Sequence, residues 1–109
     1  MTKNPIQTNG AYQSRLQSEE CDSLFRAILQ LNDINECYRF FEDLCTIPEL
    51  KSIAQRWEVA KQLDQGITYQ ELSQQLNAST ATISRVNRCI SYGAGGYRMM
   101  LDRMKELGE

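Results

Sequence analysis

Histidine is absent from the 109 residues, and proline occurs only twice. Without an imidazole no nucleophile–base pairing is recognisable, and acid pairs such as Glu42–Asp43 lack a partner base, so no enzyme is expected. The four cysteines, at 21, 37, 45 and 89, form no C-x-x-C pair. Structural zinc needs four closely placed thiolate or imidazole donors, so neither a metal site nor a cofactor is expected. The cysteines read instead as reduced, buried side chains of a cytosolic protein. No apolar run is long enough to span a bilayer, and "MTKNPIQTNGAYQSRLQSEE" has no apolar core of the kind a secretory signal needs. No membrane partner is expected, and the expected location is the cytoplasm. Strand-like alternation is missing as well.

Charge is present but uneven. The formal net charge is −2, yet residues 66–98 carry Arg85, Arg88 and Arg98 against the single acid Glu71. A near-neutral sum therefore does not exclude a nucleic-acid partner. At this length a chain buries a limited fraction of its surface alone, so dimerisation is open from the start.

The helical spacing of apolar residues predicts an all-α chain of about six helices. Residues 1–17 are polar and aperiodic and are expected to be a disordered arm, leaving 18–109 as the helical domain. Ser18 can cap a first helix with Glu19, Glu20 and Asp22 in its first turn and an apolar stripe through Leu24, Phe25, Ile28 and Leu29. Asp33 with Glu36 opens a second, carrying Cys37, Phe40, Phe41, Leu44 and Cys45. Thr46 and Glu49 form a capping box for a long third helix with Pro48 in its first turn. Its stripe runs through Leu50, Ile53, Ala54, Trp57, Val59, Ala60 and Leu63, and Gly66 can end it.

"ITYQELSQQLNASTATISRVNRCI" carries the most information. Thr68 and Glu71 cap a short helix to about Leu76, Asn77 tolerates positive φ, and Ser79 caps a helix from Thr80 to about Tyr92. Two short helices joined by so tight a turn are a helix-turn-helix, here over about 68–91. Leu72, Leu76, Ala78, Ile83, Val86 and Ile90 are its expected inward positions, with the small Ser73 where the helices cross. Outward lie Ser79, Thr80, Ala81, Thr82, Ser84, Arg85 and Arg88. Small side chains let base edges approach a helix in the major groove, and hydroxyls and arginines can meet bases or phosphates. Double-stranded DNA is the partner this pattern favours. The alternative is a helical protein-interaction module with a solvated outer face.

"YGAGGYRMM" lacks the strand and the Lys-Ser/Thr of a phosphate loop. It reads as a break near Gly93 followed by a last helix from about Gly96 to Leu107. Met99, Met100, Leu101 and Met104 are expected in the core or a dimer interface, and Trp57 in the core.

"ELSQQLNASTATISR", preceded by "LCTIPELKSIAQRWEVAKQLDQG", resembles the tryptophan-repressor superfamily. "ECYRFFEDLCT" and "GGYRMMLDR" resemble its YerC/YecD-type branch, and the likeness runs over about residues 19–104. It implies an intertwined homodimer that regulates transcription, as a repressor, with paired recognition helices in successive major grooves roughly 34 Å apart. Carried over by motif, the DNA-facing positions are Gln70, Ser79, Thr80, Ala81, Thr82 and Ser84. The family's arginine is replaced by Gln70 here, which suits adenine rather than guanine. Arg56 and Arg85 match the two arginines that flank the family's tryptophan ligand, while Val86 replaces a glycine and Cys89 a serine of that pocket. A branched Val86 is expected to fill the space, so tryptophan dependence is not expected. Another amino-acid co-repressor stays open, as do plain surface or phosphate-contacting roles for Arg56 and Arg85.

Overall fold

The computed structural model describes residues 12–109. Among them are six helices and no strand: α1 (Glu19–Ile28), α2 (Ile34–Leu44), α3 (Ile47–Asp64), α4 (Tyr69–Leu76), α5 (Thr80–Tyr92) and α6 (Gly96–Glu106). Most of the expected N-terminal arm lies outside the described residues. Residues 12–18 form no helix, and the Leu16 amide donates to the Ser14 hydroxyl at 2.9 Å in a local turn.

The helix starts follow from short-range chemistry. The Ser18 hydroxyl accepts from the Cys21 amide, and the Asp33 carboxylate accepts from the Glu36 amide at 2.8 Å. Reciprocal capping boxes open α3 (Thr46, Glu49) and α4 (Thr68, Glu71), each satisfying two amides that the helix itself leaves without acceptors. The Glu49 and Glu71 carboxylates reach back to the amides of Thr46 and Thr68, at 2.8 and 3.0 Å. The Thr46 amide, and after it the Thr46 hydroxyl, favour the ionised Glu49 and hold its carboxyl below the usual range. Gly66, at φ +89°, turns the chain out of α3.

The chain divides into two compact units, one ending at Asp43 and one spanning Leu44–Glu109. In the first unit, α1 and α2 are amphipathic but bury no residue. Phe25, Leu29, Ile34 and Tyr38 are exposed, and Phe40 and Phe41 meet edge-on at 5.5 Å.

The second unit has the core. Val59 and Ala60 of α3, Leu72 of α4, Ala78 of the turn, and Ile83 and Val86 of α5 form one buried cluster, none more than 3% exposed. Trp57, Leu63, Ile67, Leu76, Ile90 and Tyr97 pack around it. Only the C-terminal half of the α3 stripe is covered. Ile53 is 45% exposed and Ala54 is exposed too, because α4 and α5 pack beyond them. Trp57 is half-buried rather than central, stacked on Tyr97 with centroids 6.5 Å apart.

The cysteines depart from the buried positions expected of them. All four are free, Cys37 is exposed, and Cys21, Cys45 and Cys89 are half-buried. Their helices place them at the margins of apolar stripes, away from the one packed cluster. In α6, Leu101 is buried and Met104 half-buried, while Met99 and Met100 are 46% and 40% exposed.

Candidate nucleic-acid interface

α4 and α5 meet through a turn held by a left-handed residue and two side-chain hydrogen bonds. Asn77 sits at φ 54°, ψ 31°, the left-handed region that a short polar side chain tolerates better than a branched one. The Ser73 hydroxyl donates to the Ala78 carbonyl at 3.4 Å. The Gln55 amide donates from α3 to the carbonyl of Leu76, also at 3.4 Å, and so caps the end of α4. The small Ser73 thus also ties α4 to the turn as a hydrogen-bond donor.

At the front of α5 the Ser79 hydroxyl accepts from the Thr82 amide (3.1 Å) and donates to the Thr82 hydroxyl (3.0 Å). Ser79 is therefore spent on the cap, and Thr82, half-buried, keeps one proton to donate outward. Thr80, Ala81, Arg85 and Arg88 are exposed and Ser84 is half-buried. Ile83 and Val86 point the other way, into the core. The outward face also includes Asn87 and extends past Arg88, the last position expected from the sequence, through Ser91 and Tyr92, all exposed. Gln70 is exposed on the first turn of α4, beside the exposed Tyr69.

The basic character of this surface is narrower than the sequence suggests. Arg98 is committed to Asp64 (3.0 Å) and Asp102 (3.1 Å), and Lys105 also meets Asp64 (2.8 Å). Hydrogen bonds from Arg98 and Lys105 pull the Asp64 carboxyl down to about 2, and Asp64 in turn raises the Arg98 pKa. Among the described residues Arg85 and Arg88 have no carboxylate within ion-pair distance. They are the two uncommitted cations of the α5 face.

Of the expected pocket residues, Arg56 and Cys89 border different grooves and Val86 is in the core. Val86 is 1% exposed and belongs to the core cluster. Arg56 borders a groove with Leu44, Cys45, Pro48, Glu49, Ser52 and Ile53. Cys89 borders a different, mostly apolar groove of about 450 Å³ with Trp57, Tyr97, Met99 and Met100. What Arg56, Arg85 and Cys89 share is Tyr97. Burial raises the Tyr97 pKa, the charges of Arg56 and Arg85 oppose that rise, and Cys89 adds to it. Sequence reasoning missed Tyr97 entirely. Among the described residues no group of acids and cysteines is arranged to hold a metal ion. No described helix is long and apolar enough to cross a membrane.

Against known proteins, residues 19–105 match the family model described as Trp repressor protein. The chain is 56% identical over 92 residues to YerC of Bacillus subtilis (strain 168), a protein described as uncharacterized, covering 84% of this chain and 88% of YerC. A solved TrpR-like protein from Eubacterium eligens superposes with TM-score 0.80 at 49% identity, over 83% of this chain and 93% of that one. A candidate Trp repressor from Staphylococcus aureus does so with TM-score 0.79 at 51% identity, over 83% and 90%. By sequence and by fold, the chain belongs to the Trp repressor family.

Proposed function

We propose that the chain is a sequence-specific DNA-binding regulator of transcription, not an enzyme, and acts as a homodimer with α5 in the major groove. The observation that carries this reading is the α5 face: a front of short side chains, then two arginines free of acids, on a helix anchored by Ile83 and Val86. Short side chains admit base edges, and unpaired guanidinium groups meet phosphates without first breaking an ion pair. Repression, by occupying a promoter, is taken from family analogy.

The dimer is supported by apolar surface left uncovered in a single chain. Phe25, Leu29, Ile34, Tyr38 and Ile53 would stand in water, and so much large apolar exposure is unusual for a monomer. Tryptophan independence is supported by Val86, whose side chain occupies core space that a glycine would leave open.

Thr82→Glu tests the docking. Position 82 is the third residue of α5 behind the Ser79 cap, where glutamate completes a capping box, so the fold tolerates the change. A carboxylate there faces phosphates. The variant is expected to keep its helicity and dimerisation and to lose DNA binding. Unchanged affinity for DNA selected by the wild type would sink the docking. Retention of no DNA at low salt by the wild type would favour the protein-interaction module, because phosphate contacts must strengthen steeply as salt falls.

A further inference from the structure

The connection between α5 and α6 is short and has no side-chain cap at its far end. α5 ends at Gly93, and α6 begins at Gly96 with no side-chain hydrogen bond capping its amides. Tyr97, the second residue of α6, bridges this gap. Its ring lies nearly parallel to Trp57 of α3, 9° apart in plane. It packs against the cluster to which α5 contributes Ile83 and Val86, and shares a groove wall with Cys89 of α5. One flat side chain of α6 is therefore stacked on α3 and packed against the cluster that anchors α5.

We propose that Tyr97 is a positioning residue for DNA recognition: an aromatic side chain of the protein's own, stacked on Trp57, that sets α5 against α3 and α6 without any small molecule. The inference rests on the DNA-binding reading above. Its physical basis is the stiffness of the stack. A planar ring held between packed neighbours has few alternative rotamers, whereas an aliphatic side chain of similar volume can repack and let α5 tilt.

The test uses the full-length chain and DNA selected by the wild type from a random pool. Tyr97→Phe keeps the ring and is expected to bind within about twofold of wild type. Tyr97→Leu keeps apolar bulk but not planarity, and is expected to lose about tenfold in affinity, with helicity and the salt dependence of binding unchanged. Tyr97→Ala leaves space for a free phenol, and millimolar p-cresol is expected to restore its affinity while leaving the wild type unaffected. Wild-type affinity in Tyr97→Leu, or a Tyr97→Ala that folds but does not respond to p-cresol, would overturn the positioning role. If Tyr97→Ala does not fold, the comparison of Tyr97→Leu with Tyr97→Phe decides. A wild type that selects no DNA removes the DNA-binding reading and this inference together, whereas failure in the variants alone removes only the inference.

Discussion

Asp64 joins the end of α3 to α6 through Arg98 and Lys105, and Asp64→Asn measures what that join contributes. The Asp64 carboxyl is held at about 2 against an ordinary value of 3.8. At about 1.36 kcal/mol for each unit of pKa, the linkage ceiling is roughly 2.5 kcal/mol. The carboxylate is only 13% exposed, but Arg98 and Lys105 are 43% and 58% exposed. Water screens such partners and would have to be displaced in ordering them, so about 1 kcal/mol is the expected loss near neutral pH. A folded-state pKa below the unfolded value gives stability that is complete above pH 3.8 and lost as pH falls through about 2. The difference between wild type and Asp64→Asn should therefore be constant from pH 7 down to about 4 and shrink below it. Urea unfolding at fixed protein concentration, repeated at several pH values, reads this directly. A difference that stays constant between pH 4.5 and 2.5, or none at pH 7, would refute the reasoning.

Three further outcomes follow from the same structure. Leu72→Ala empties a fully buried site between α4 and α5 and should cost about 3 kcal/mol in thermal or urea unfolding, with DNA affinity falling alongside; a loss under about 1 kcal/mol would mean the site collapses around the gap. Arg88→Ala should leave helicity intact and flatten the slope of log affinity against log salt by about 0.9 for each phosphate that the arginine neutralises, and an unchanged slope would remove Arg88 from the residues that meet the DNA backbone. Tryptophan should produce no rise in melting temperature, since Val86 is packed into the core; a clear rise would show that an indole site survives.

What was legible in the sequence was local. Ser18, Asp33, Thr46, Thr68 and Ser79 declare helix starts because a cap needs only a side-chain acceptor and an amide two or three residues on, and each does so in the structure. Asn77 and Gly66 are legible for the same reason, since the left-handed region selects its residues. The period of Leu72, Ile83 and Val86 identifies the inner face of the helix-turn-helix. What depends on distant partners was not legible. Arg98 reads as a free cation until Asp64 is brought beside it, and the stripe through Ile53 reads as core although nothing in its own unit covers it. The Tyr97–Trp57 stack is likewise a product of packing between α3 and α6, with no spacing in the chain to announce it. Ser79 is legible as a cap, but only the geometry shows that it also donates to the Thr82 hydroxyl and leaves Thr82 a proton to give.

The end of α5 fixes what variation this protein can use. A methyl group built on Gly93 would lie 2.5 Å from the Cys89 carbonyl oxygen, an approach that real side chains do not make. The Gly93 amide donates to that same carbonyl at 2.9 Å, so making room for the methyl group means disturbing the bond that closes α5. Descendants of this sequence are consequently unable to exchange Gly93 cheaply, and α5 keeps a fixed stop. If α5 reads DNA as proposed, new preferences arise by exchanging the exposed Thr80, Ala81, Arg85 or Arg88, none of which belongs to the buried cluster. The length of the probe is inherited, and its lettering is free to drift.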